Sequence, residues 1–263
     1  MDKAATRNKR KEVPSSYLSI QKAFRILEHL SARSPQGVTE IAQALDLEKS
    51  SVSRLLKSLS ELGYVVQAAR RGQYQGSARL VSLAQQYLGG DPLCREAGPV
   101  LRGLARDARA SAHLAVLVEG TMVIVAKESS PDLIQVATSV GGSAPLHASA
   151  LGKILLAGLP EEEIDVFLSQ PLERFTDKTI TDARKLRKHL DDVRRRGWSF
   201  EAEEEHLGVG CIGAPVRDAR GRWIAAISVA GPLRGTSFRL DPAHAKLVTA
   251  KAAELSRLVG SED

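Results

Sequence analysis

The chain of 263 residues has only two cysteines, Cys94 and Cys211. Two are too few for a disulfide scaffold, and a reducing compartment, the cytoplasm, is the expectation. No Cys/His group has the spacing of a metal site, so neither a metal nor a cofactor is expected. No apolar run approaches the length that crosses a bilayer, and the first residues lack the apolar stretch of a signal peptide, so no membrane partner is expected. What remains is a chain with 43% hydrophobic residues, enough for a real core in one or two domains.

Basic charge is unevenly spread. Residues 1–90 carry 14 Lys and Arg against 7 Asp and Glu, while the remaining residues carry 23 against 24. The whole excess of +6 therefore belongs to the first third. A surface built to face phosphates predicts this asymmetry, whereas a merely soluble basic protein would spread its charge.

That third also holds the most patterned stretch, Val38 to Gly63. Ile41, Ala42 and Leu45 give a first short helix one apolar face, with Thr39 as a partial cap. Asp46-Leu47-Glu48-Lys49 reads as the turn, and Ser50 or Ser51 as the cap of a second helix. There Val52, Leu55, Leu56, Leu59 and Leu62 recur at helical spacing until Gly63. Lys49, Ser50, Ser51, Ser53, Arg54 and Lys57 are the polar residues left over, gathered at the N-terminal end of that helix. A helix-turn-helix presents that end to the major groove of duplex DNA. An ordinary helical hairpin with a solvated face is the alternative.

The neighbours favour DNA. Residues 1–16 read as a disordered basic arm with Lys3, Arg7, Lys9, Arg10 and Lys11, suited to phosphates or a minor groove, or else a solvated tail. Ser19 is placed to cap a supporting helix over 20–32, with Ile20, Phe24, Leu27 and Leu30 or Ile26 inward, followed by a turn at Pro35-Gln36-Gly37. After Gly63 the spacing turns extended. Tyr64–Val66 and Gln73–Gln75 read as two strands around a loop whose tip carries Arg70 and Arg71, either a DNA-binding wing or a common surface turn. Residues 17–77 thus read as a winged helix-turn-helix domain. Residues 78–91 read as a linker helix whose apolar stripe requires a partner, either the body of the protein or the same helix of a second subunit. Gly89-Gly90-Asp91-Pro92 is the expected break.

Residues 92–263 read as an α+β domain with a mostly antiparallel sheet. Expected helices lie at 93–110, 147–157, 161–168, 184–196 and 242–259. Expected strands lie at 113–118, 122–127, 133–138, 198–203, 210–217 and 222–230. Gly208-Val209-Gly210-Cys211-Ile212-Gly213 matches a dinucleotide-binding fingerprint in letters only, because Pro215 could not sit in the helix that fingerprint requires. Glu201, Glu203, Glu204 and Glu205 form an acidic run that reads as a solvated face. An enzyme centred on Glu201, His206 and Cys211 is a rival reading, with a buried structural thiol as the blander account of Cys211. A structural DNA-binding protein whose second domain only dimerises is another. His147 either caps a helix or lines a pocket.

Taken together, Gly197-Trp198, Glu204, the run Cys211–Asp218, the segment Pro145–Lys153 and the strand Ile227–Pro232 resemble the IclR family of bacterial transcriptional regulators over about Leu18 to Val259. The resemblance implies an N-terminal winged helix-turn-helix, a C-terminal GAF-like effector domain, and a homodimer or homotetramer. It implies a repressor or activator, not an enzyme, whose binding to double-stranded operator DNA responds to a small effector. An organic acid or an aromatic catabolite is the expected class. Carried over residue by residue, the implied pocket uses Ala150, Leu151, Glu201, Cys211, Ser228 and Ala230, with His147 nearby. Glu201 stands where Asp or Ser is usual in the family, Ala230 where Ser is common, and Arg217 where an aromatic is expected.

Overall fold

The computed structural model describes residues 15–70, 72–132, 136–235 and 238–260. Most of the basic arm, and Arg71 at the wing tip, lie outside the described residues. The chain divides into two compact units, Met1–Tyr87 and Leu88–Asp263.

The first unit opens with α1, Ser15–Ala32, which begins before the expected Ser19 cap. It buries Ile26 and Leu30, while Ile20 and Phe24, expected inward, are exposed. The reason is reach: the small core of this unit covers only the second half of the helix. Gln36–Gly37, expected as a turn, forms a short strand, β1. Next comes α2, Val38–Leu45, started by Gly37 rather than Thr39. Glu40, in its first turn, accepts the Gly37 N–H at 2.6 Å. Asp46 ends α2 in the left-handed conformation with φ 51°, which a short polar side chain tolerates. Its neighbour Leu47 returns an N–H to the Ala42 carbonyl at 2.9 Å.

The chain then enters α3, Lys49–Glu61, directly. Glu48 precedes it without a side-chain cap bond, so Ser50 and Ser51 stand inside the helix rather than at its cap. Ile41 and Ala42 of α2 and Val52, Leu56 and Leu59 of α3 close on Ile26, Leu30 and Val65. Strands β2, Val65–Gln67, and β3, Gln73–Gly76, form the wing. The sheet is antiparallel in the order β1-β3-β2. Helix α4, Ala78–Gly90, runs through the two glycines where a break was expected. The break falls at Asp91, inside the expected stretch: Asp91 accepts the Cys94 N–H at 3.0 Å and starts α5, Pro92–Ala108.

The second unit is a five-stranded sheet with helices on both faces. The strands are β4, Ser111–Val118; β5, Thr121–Glu128; β6, Ser199–Ala202; β7, Val209–Arg217; and β8, Trp223–Pro232. Their order is β5-β4-β8-β7-β6, and every pairing is antiparallel. The expected strand over 133–138 is absent across its described residues, 136–138. Alternation along the strands sorts the side chains by face. Leu114, Ile212, Ala214, Ile227 and Val229 meet α5 and α9, Pro242–Gly260, in the main core. The opposite face is covered by α6, Ala150–Ala157, with α7, Glu161–Leu168, and α8, Ala183–Arg196, beyond it.

Helix α6 starts three residues later than the sequence pattern predicts. Ala148 and Ser149 first fold back in a turn on the Pro145 carbonyl. Ser149 then caps the helix by accepting the Gly152 N–H at 3.1 Å. Two glycines permit the close approach: a methyl group on Gly213 would sit 3.3 Å from the Ile227 carbonyl, beside the Ala150 backbone, and one on Gly152 would strike the Leu146 backbone, its carbonyl oxygen at 2.5 Å. Gly152→Ala is therefore expected to lower unfolding stability by about 2 kcal/mol or more. Urea unfolding of the full chain, followed by circular dichroism, measures it.

Candidate DNA-reading face and ligand cavity

Lys49, Ser50, Ser53, Arg54 and Lys57 are exposed on α3, and Ser51 is half-buried. They lie opposite the stripe of Val52, Leu56 and Leu59 because 3.6 residues per turn separate the two sets. Lys57 stands 4.0 Å from Glu61, a loose and solvated pair of little energetic weight. Arg70 is exposed at the wing tip. The structure thus puts a cationic, hydroxyl-bearing helix face beside a β-ribbon.

In the second unit a cavity of about 210 Å³ lies between the sheet and the first turn of α6. Six of the seven residues expected in an effector pocket line it: Ala150, Leu151, Glu201, Cys211, Ser228 and Ala230. Strand register explains the convergence, since Glu201 pairs with Cys211, Cys211 with Ala230, and Ser228 with His113. Each side chain points away from the main core and toward α6. The seventh, His147, lies outside this cavity. Its Nε2 bonds the Glu173 carbonyl at 2.8 Å and its ring packs near Phe175, on a separate open groove. The turn from Pro145 to Ser149 takes it there.

Among the lining residues that escaped sequence reasoning are His113, Thr138, Met122 and Ile124. His113 Nε2 lies 2.7 Å from Thr138 Oγ1. Burial, helped by the Lys127 charge, pushes the His113 pKa down to about 4, so the ring is neutral near pH 7. A lone histidine in the apolar strand SAHLAVLV was the signal available. The acidic run is not a uniform solvated face. Glu201 is 2% exposed and Glu204 7%, against the sequence expectation. Glu204 forms an ion pair with Lys153, which is 0% exposed on α6. The Glu204 N–H donates to Glu201 Oε2 at 2.9 Å. Desolvation raises the Cys211 thiol well above its ordinary pKa, and the Glu201 carboxylate raises it further. That is the opposite of what a thiolate nucleophile needs. His206 is exposed at the cavity mouth beside Glu205. Among the described residues no group of His, Cys, Asp or Glu is placed to hold a metal, and no helix is long and apolar enough to cross a membrane.

A winged helix-turn-helix, followed by an α+β unit with a cavity beside its sheet, is the architecture of a DNA-binding transcriptional regulator. Comparison with known proteins agrees: the IclR helix-turn-helix domain matches residues 19–69, and the C-terminal domain of the bacterial transcriptional regulator IclR matches residues 85–257. The chain belongs to the IclR family of bacterial transcriptional regulators. It is 34% identical over 252 residues to the transcriptional regulator KdgR of Escherichia coli, covering 95% of each chain. To the transcriptional repressor AllR of Klebsiella pneumoniae it is 30% identical, covering 92% of this chain and 90% of that one. In fold it resembles an IclR homologue of Microbacterium hydrocarbonoxydans solved with 4-hydroxybenzoate, with a TM-score of 0.81, 24% identity, and 93% and 100% of the two chains covered.

Burial raises the Glu201 pKa from 4.5 to about 7. Between those values the folded chain holds a proton that the unfolded chain has released, so stability falls as pH rises through the window. Gln at this position keeps an acceptor for the Glu204 N–H and cannot ionise. Glu201→Gln is therefore expected to be more stable than the wild type at about pH 8, by on the order of 3 kcal/mol. The difference should vanish below the ordinary carboxylate pKa, as thermal unfolding across pH would show.

Proposed function

We propose that the chain is an effector-controlled repressor that binds operator DNA as a homo-oligomer. The observation that carries this reading is the pairing of one solvent-facing cationic helix with one cavity bearing a few polar groups in an apolar lining, in separate units of the chain. Lys49, Arg54, Lys57, Arg70 and Arg71 neutralise phosphates and set affinity. Ser50, Ser51, Ser53 and Arg54 offer donors and acceptors to base edges. The repressor sense follows the printed role of AllR, and an acidic effector is in keeping with the 4-hydroxybenzoate held by the Microbacterium homologue.

Ala150, Leu151, Glu201, Cys211, Ser228 and Ala230 form the effector contacts. His147 belongs to the neighbouring groove and serves the loop at Glu173 instead. The Cys211 thiol, held well above its ordinary pKa by burial and by the Glu201 carboxyl beside it, favours binding without catalysis. The domain division we infer is a DNA-binding part to residue 77, a connecting helix over 78–91, and a sensing part from residue 92, in the cytoplasm.

Arg54→Ala is expected to weaken operator binding by about 1–3 kcal/mol and to relax base preference at one position. Fluorescence anisotropy against the operator and single-base variants measures this. Equal discrimination by wild type and variant would remove Arg54 from base reading.

The oligomer rests on apolar side chains left in water within the first unit. Ile20 is 60% and Phe24 59% exposed on α1, and Val81 is 62% and Tyr87 71% exposed on α4. So much apolar surface along two helices calls for a cover, and a second copy supplies it symmetrically. Phe24→Glu is expected to shift the full chain toward monomer in analytical ultracentrifugation, with weaker operator binding in consequence. An unchanged oligomer would exclude α1 from the interface.

A further inference from the structure

The effector reading above leaves one electrostatic question. Among the described residues that line the cavity there is no lysine or arginine, yet Glu201 and Glu205 both contribute carboxyl groups. Two cations stand behind the wall: Lys153, three residues into α6 from Ala150, whose ammonium is engaged by the Glu204 carboxylate, and Lys127 on β5, whose Nζ donates to the Thr138 carbonyl at 2.7 Å on the His113 side. Glu204 therefore takes the positive charge on the α6 side, next to Glu201, and its backbone N–H donates to Glu201 Oε2.

Resting on the effector reading, we propose that Glu201 faces the cavity as a neutral carboxylic acid and donates its O–H to a carboxylate effector, so that the domain takes up an organic anion together with a proton. An ionised Glu201 would set a second negative charge against a single buried lysine and would repel the anion. The neutral acid does the reverse and supplies a donor, alongside the Ser228 hydroxyl and the backbone N–H groups of Ala150 and Leu151 at the start of α6. Oε2 accepts from the Glu204 N–H, and the Cys211 thiol also bonds this carboxyl.

The other ionisable groups facing this region agree. From β4, His113 is neutral near pH 7. From β7, Cys211 remains a thiol. From the loop after β6, burial raises the pKa of Glu205, with His206 beside it in solvent. From α8, Arg196 and His189 face Lys153, and burial with those two cations brings His189 down to about 4. Glu201 itself is raised to about 7, chiefly by burial, which puts its titration where a cell can use it.

Two measurements on the full chain test this. The first is infrared difference spectroscopy between wild type and E201Q, scanned from about pH 5 to about pH 9. A carboxylic-acid carbonyl band assigned to Glu201, present at the acid end and lost near neutrality, is expected. A Glu201 ionised at every pH would overturn the proposal. In E204Q, Lys153 is left to Glu201, and the band should disappear at least about one pH unit lower. An unmoved band would overturn the role given to the Lys153–Glu204 pair.

The second measurement is calorimetric titration with 4-hydroxybenzoate as the probe acid. Affinity is expected to fall about tenfold from pH 6 to pH 8, with proton uptake read from buffers of different ionisation enthalpy. E201Q should lose that pH dependence while retaining binding, because the amide N–H replaces the acid O–H. PH-independent binding by the wild type would overturn proton-coupled uptake. Absence of binding at both values would overturn the carboxylate class, whereas operator release by an uncharged molecule would still leave the chain a regulator.

Discussion

One buried ion pair organises the sensing unit. Helix α6, ALGKILLA, is apolar except for Lys153, and that lysine is wholly enclosed. Burying an ammonium costs several kcal/mol, and removing its partner typically costs about 3–5 kcal/mol more, so the carboxylate that meets it is fixed in place. Glu204 is that carboxylate. The Thr179 hydroxyl donates to the Glu204 carbonyl at 2.6 Å, and the Thr176 hydroxyl to that of Glu203 at 2.6 Å. The pair therefore ties α6 to the loop after β6 and to the segment before α8. Glu201 is drawn into the same cluster through the Glu204 N–H. Cavity roof and cavity wall are tied together by a single charge on an otherwise apolar helix.

The DNA-binding unit was legible in the sequence because its signals are local. Val52, Leu56 and Leu59 alternate with Lys49, Ser53 and Arg54 at helical spacing, and the same residues that repeat also pack. Errors there were confined to ends. Thr39 and Ser50 looked like caps by residue type, but Gly37, whose N–H is held by Glu40, precedes α2, and Glu48 precedes α3 because the left-handed Asp46 shortens the turn by a residue. The face of α1 was misjudged for a different reason: the pattern shows that Phe24 is apolar, not that the core stops short of it.

In the sensing unit, strands β6, β7 and β8 were readable from alternation, and the resemblance to the family brought Glu201, Cys211 and Ser228 to one place before any coordinates did. What stayed hidden was decided at long range. Whether Glu204 sits in water or in a protein interior depends on Lys153, fifty-one residues away. His147 was a plausible pocket residue until the turn at Pro145–Ser149 aimed it at Glu173. Thr138 was expected within a strand and instead reaches His113 from irregular backbone. Periodicity carries no information about such partners.

The sheet register also bears on how such a receptor changes over time. Ser228 stands between Ile227 and Val229, and Cys211 stands before Ile212, so neighbours along each strand alternate between cavity floor and hydrophobic interior. A mutation at a floor position alters the chemistry of the cavity while leaving the load on the interior untouched. One scaffold can in this way retune its chemical input over generations with little penalty in folding, keeping its output apparatus intact.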